Sequence, residues 1–119
     1  MSIHYWLLVF LGVLVFFAFK KEDKVPGFYD DFANCLTSNN VTMFGAYWCS
    51  HCQAQKKSFS DSWGLVNYVE CSLPNNVGQT QDCINQGIRG YPTWIFNDGT
   101  RIEGEASFKI LSEKTGCMI

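Results

Sequence analysis

Cys49 and Cys52 stand three apart in Tyr47-Trp48-Cys49-Ser50-His51-Cys52, where an apolar, strand-like run breaks into a helical pattern. Residues three apart on a helix are neighbours, so the two sulfurs are placed to close and reopen a tight disulfide. The chemistry needs one sulfur as a thiolate. Unpaired N–H groups and the positive end of the dipole at a helix start favour that form, which makes Cys49 the expected nucleophile and Cys52 the resolving thiol. Further on, Gly90-Tyr91-Pro92-Thr93 supplies a second element, and the two together point to dithiol–disulfide exchange. A zinc site is the other chemistry open to thiols at this spacing, with Cys71 and Cys83 as further ligands. Trp48 before the first cysteine and the strand-to-helix context favour exchange, so neither metal nor other cofactor is expected. His51 has two readings, an exposed helix residue or a donor or cation beside the Cys49 sulfur. The second is the expectation, and a thiolate stabilised in this way makes the oxidised protein the stronger oxidant.

The elements that must position this pair follow from pattern. Phe28, Phe32, Cys35 and Leu36 recur at helical spacing, with Asp30 and Asp31 near the start, predicting a helix over 28–36. Ser38-Asn39-Asn40 breaks it, and Val41 to Trp48 reads as a strand leading into the cysteines. A helix is expected from Cys49 to Phe59, a strand over Leu65–Cys71, a helix over Thr80–Gln86 and a strand over Thr93–Asn97. Asn97-Asp98-Gly99-Thr100 is a hairpin turn, Arg101–Glu103 the returning strand, and Phe108–Thr115 a last helix. The order is α-β-α-β-α-β-β-α, with the reactive pair at the carboxyl end of a strand, a usual place for sites in α/β sheets.

Of the 119 residues, 47% are hydrophobic, a figure inflated by residues 3–19. The remainder still holds Phe44, Trp48, Phe59, Trp63, Trp94 and Phe96, enough for one packed core. From Val25 onward six basic residues face nine acidic ones, which gives no support to a nucleic-acid partner. Six cysteines in so short a chain imply a compartment where disulfides persist. Cys71 and Cys83 flank a turn-rich stretch, and a structural disulfide is expected between them. For Cys35 and Cys117 three fates stay open: a bridge, burial as small apolar side chains, or a partner.

Ile3 to Phe19 is apolar except for His4, about 25 Å long as a helix against a hydrocarbon core of about 30 Å. No basic residue precedes it and no small-x-small cleavage site follows, so an uncleaved single-pass membrane anchor over 1–20 is expected, then a linker over 21–27. Lys20, Lys21 and Lys24 would hold the following domain on the cytoplasmic side, whereas the cysteines argue for the opposite face. The cysteines weigh more, and the catalytic domain is expected to be extracytoplasmic.

Trp48-Cys49-Ser50-His51-Cys52 followed by Gly87-Ile88-Arg89-Gly90-Tyr91-Pro92-Thr93 resembles the thioredoxin superfamily. More closely, Met43 to Gln53, with Tyr68-Val69-Glu70-Cys71, Thr80-Gln81-Asp82-Cys83 and Gly90-Tyr91-Pro92-Thr93-Trp94, is similar to the thioredoxin-like domain associated with bacterial vitamin K epoxide reductase homologues. The resemblance implies a three-layer α/β fold with a central mixed sheet over residues 28–119. It implies that Pro92 is the cis proline beside the nucleophile, with the backbone of Tyr91 meeting an extended substrate. Trp48 shields the disulfide and offers substrates a flat apolar contact, while Trp94 belongs to the core. Two departures matter. Ser50 stands where many relatives have proline, and Met43 stands where many thioredoxins bury the carboxylate that assists proton transfer at the second cysteine. Glu70, close to the end of its strand, is given no role. The expected partners are protein thiols and disulfides, the membrane, and a vitamin K epoxide reductase-like membrane protein linked to quinone. The expected activity is that of an oxidase or isomerase, with a thioredoxin-type reductase or a non-catalytic adaptor as the alternatives.

Overall fold

The computed structural model describes residues 27–119. The anchor expected over 1–20, and all of the 21–27 linker but its last residue, lie outside them. Among the described residues no helix is long and apolar enough to cross a membrane.

Helix α1 (Asp30–Ser38) begins two residues later than its apolar spacing predicts, because residues 27–30 form a turn. Asp30 N–H donates to the Gly27 carbonyl at 3.2 Å and the Asp30 carboxylate accepts from Gly27 N–H at 2.9 Å. Phe28 therefore sits before the helix and is 93% exposed instead of joining the core. The helix runs through Ser38 and ends where Asn40 takes a φ of 56°, a conformation asparagine tolerates.

Strand β1 (Thr42–Gly45) stops short of the expected Trp48. The chain turns at once, with Cys49 N–H donating to the Ala46 carbonyl at 3.1 Å, and Tyr47 and Trp48 ride the turn half-exposed. Helix α2 (Ser50–Ser58) follows, and a 3₁₀ stretch over Ser60–Leu65 takes the start of the next expected strand. Strand β2 is thus only Tyr68–Glu70. A short 3₁₀ turn (Pro74–Asn76), helix α3 (Gln81–Asn85), strand β3 (Thr93–Ile95), strand β4 (Arg101–Glu103) and helix α4 (Phe108–Thr115) complete the chain.

The sheet order is β2-β1-β3-β4, with β1 and β2 parallel and the other pairs antiparallel. Alternation along the strands separates two cores. Met43 and Trp94 point to a large one with Phe32, Leu36, Phe59 and Leu111, whereas Phe44, Val69 and Ile95 point to a small one with Ile88, Cys71 and Cys83. Helices thus cover both faces of a mixed sheet, an arrangement that fits a thioredoxin-like fold.

Two disulfides close the structure. Cys71 and Cys83, 12 residues apart, are joined across the small core. Cys35 and Cys117, 82 apart, tie α1 to the segment after α4, so bridging is the fate taken by the pair left open above.

Candidate active site

Cys49 and Cys52 are the two free cysteines among the described residues. Cys49 caps α2, its backbone extended at φ −79° and ψ 122° and its sulfur accepting from Cys52 N–H at 3.4 Å. A cap position usually filled by a hydroxyl or carboxylate oxygen is here filled by the reactive sulfur, which brings it into the field of the helix start. Lys56 and Lys57 lie in the last turn, the favourable place for cations. Cys49 is 9% exposed and Cys52 0%, so substrate reaches only the first. Burial, with a smaller contribution from the neighbouring Cys49, pushes the Cys52 thiol up to about 12. Its proton is hard to move.

The second wall is the segment before β3. The Tyr91–Pro92 peptide is cis, and the Tyr91 carbonyl lies 3.5 Å from the Cys49 sulfur, within reach of its S–H. Pro92 is itself fully buried, held between Thr93, whose hydroxyl donates to the Gly90 carbonyl at 2.7 Å, and Gly104, whose N–H donates to the Pro92 carbonyl at 2.7 Å. Trp48 meets the Tyr91 ring edge-to-face at 5.8 Å, and its indole N–H donates to Ser72 Oγ at 2.8 Å. The Tyr91 hydroxyl accepts from Gln79 Nε2 at 2.9 Å. Ser72 and Gln79 pair across the loop that the Cys71–Cys83 disulfide closes, so this staple also braces both aromatic residues beside Cys49. Joined to each other, Cys71 and Cys83 are not available to complete a zinc site.

His51 is exposed and bonds elsewhere. Its Nδ1 lies 2.8 Å from Glu105 Oε2, and no hydrogen bond joins it to Cys49. Glu105 is set in place by the next residue: Gln55 Oε1 accepts from Ala106 N–H at 2.7 Å and Gln55 Nε2 donates to the Ala106 carbonyl at 3.0 Å. The same buried amide oxygen accepts from Trp94 Nε1 at 3.2 Å. Sequence reasoning passed over both Gln55 and Glu105. Gln55 sits among polar helix residues, and Glu105 is more than fifty residues from the motif it touches.

A mixed sheet with a dithiol at a helix start, opposed by a cis proline, fits a thioredoxin-like domain. Over 89 residues, 71% of the chain, the sequence is 39% identical to the thiol-disulfide oxidoreductase LTO1 of Arabidopsis thaliana. The chain spans 23% of that protein's length. No family model matches the chain.

Proposed function

We propose that this chain is a protein thiol–disulfide oxidoreductase in which Cys49 forms the mixed disulfide with substrate and Cys52 resolves it. The observation that carries the reading is the state of the six cysteines: four are closed in two bridges, and the remaining two stand free at the start of α2, one reachable and one sealed. The match to a protein named as a thiol-disulfide oxidoreductase supports it. Trp48 and Tyr91 offer substrates an apolar wall, and the backbone at Tyr91 offers main-chain pairing that does not depend on substrate sequence.

The direction we favour is oxidation or isomerisation, the oxidised site being regenerated by a quinone-linked membrane partner similar to vitamin K epoxide reductase. The apolar run over residues 3–19 would anchor the domain beside such a partner, on the extracytoplasmic side where the two bridges persist. His51, exposed and paired with Glu105, would act on the reduced form only through its charge near the start of α2 and not by a hydrogen bond to Cys49. A thioredoxin-type reductase is the alternative direction, and a thiol-dependent adaptor the alternative class.

Two measurements test this. In glutathione buffers a Cys49–Cys52 potential of about −120 to −180 mV supports the oxidising direction, and about −270 mV the reducing one. Oxidative refolding of a reduced test protein should fall at least about a thousandfold in Cys49→Ser, as loss of a nucleophile requires. An adaptor would be indifferent to that substitution.

A further inference from the structure

The thiol of Cys52 is buried, and Met43 of β1 lies buried in the same core. Strand register puts Tyr68 of β2 directly beside Met43 of β1, on the same face of the sheet. The Tyr68 hydroxyl is shut off from solvent and makes no hydrogen bond of good geometry, the Glu70 carboxylate being near enough to act on it but not aligned to accept. Buried polar groups without partners are uncommon, and an orphaned hydroxyl next to a reacting group invites a role in the reaction. Both groups border Gly45. A Cβ at Gly45 would stand 3.0 Å from the Cys52 sulfur and 3.2 Å from the Tyr68 hydroxyl oxygen, so the absent side chain leaves the gap between them open.

We propose that Tyr68 adds a side-chain donor to the backbone hydrogen bond that Cys52 has at Ala46, its phenolic O–H donating to the Cys52 sulfur whenever that sulfur is a thiolate. The inference rests on the exchange reaction proposed above. In that reaction the Cys49 thiolate attacks a substrate disulfide, forming a Cys49–substrate bond and expelling one substrate thiolate, which takes a proton from water. Cys52 then yields its proton to water, and the resulting thiolate, held by the Tyr68 O–H, attacks the Cys49 sulfur. The Cys49–Cys52 disulfide forms and the second substrate thiolate leaves to be protonated, so one disulfide is made for one broken. Run in reverse, the same O–H stabilises Cys52 as the leaving group.

The surroundings suit a phenol that stays protonated. Burial, with the Glu70 carboxylate two residues along the strand adding to it, holds the Tyr68 hydroxyl above its ordinary range, so it remains a donor. Lys56 Nζ sits 4.1 Å from the ring centroid, placing a cation on the same side. Cys49 and Lys56 of α2 are thus the titratable groups that act on Cys52, while Glu70 of β2, Cys52 and Cys49 act on Tyr68.

The test follows the full-length reduced chain after mixing with glutathione disulfide, with acid quenching and mass spectrometry of the Cys49–glutathione adduct. Tyr68→Phe keeps the ring against Lys56 and Trp63. It should slow disappearance of the adduct by ~10-fold or more while leaving its formation within about twofold, and the melting temperature should hold or rise. Gly45→Ala, which forces the sulfur and hydroxyl apart, should slow the same step. Unchanged resolution in Tyr68→Phe overturns the proposal, as does an equal slowing of both steps with a fall in melting temperature. If the native chain and Cys52→Ser both form no adduct, the exchange reading fails and this inference fails with it; adduct that forms and resolves at one rate with or without the hydroxyl sinks the inference alone.

Discussion

The Cys35–Cys117 bridge and the Cys49/Cys52 pair border the same aromatic core but use their sulfurs in opposite ways. The bridge joins residues 82 apart, and closing so long a loop removes about 4.5 kcal/mol of chain entropy from the unfolded state. The open pair is three apart on one helical turn, where the same reasoning gives only roughly 2 kcal/mol and the helix has already fixed the backbone. A long span makes a bond that folding strongly favours, and a short one makes a bond that can be traded. Sequence separation thus sorts these cysteines into structural and exchangeable before any neighbour is considered.

The sharpest way to break the contrast is to remove the long bridge. Cys35→Ala with Cys117→Ala should cost up to about 4.5 kcal/mol in denaturant unfolding, while the protein that remains folded keeps its exchange rate. A loss of exchange without a loss of stability would mean that this bridge also cycles. Cys71→Ala with Cys83→Ala should cost about 3 kcal/mol. Because that staple braces Ser72 and Gln79, the double variant should also alter Trp48 fluorescence, and an unchanged spectrum would free the aromatic wall from it.

Alkali separates the open pair from the closed ones. The Cys52 thiol lies at 9.0 in the unfolded chain and about 12 in the fold, so the neutral form is the one the fold prefers. The stability this gives the reduced protein is fully present below pH 9.0 and is lost as pH rises toward about 12. The oxidised protein has no such thiol and should lack that slope in chemical denaturation. Equal slopes would place Cys52 in a wetter site than the fold shows. The smallest expected effect belongs to Glu105→Gln, which removes a negative charge from the start of α2 and releases the His51 ring. A half-exposed pair of this kind is worth about 1 kcal/mol or less, so the Cys49–Cys52 potential should rise by about 20 mV or less. A fall instead would show that the pairing helps the thiolate.

Much of this was readable from residue types. The reactive pair sits at a helix start because an apolar strand must end where Tyr47-Trp48-Cys49 begins to turn, and the order of elements followed from the same periodicities. β4 falls where Asn97-Asp98-Gly99-Thr100 marks the turn before it, Gly99 taking a φ of 82°. What local pattern could not supply was anything set by distant packing. Strand lengths were overread because β-type residues such as Tyr47 and Leu65 continue past the last ladder bond. Tyr68, Gln55 and Glu105 carry no signal of their own until the sheet register and the turn before α4 bring them to the motif.

The Cys35–Cys117 bridge also makes residues 35–117 a covalent ring. A pull on the segments flanking it would load that bond and bypass the sheet, leaving the dithiol geometry unstretched. A single protease cut anywhere inside the ring would leave both pieces attached, so nicked molecules would gain only the one water of hydrolysis until a reductant separated them.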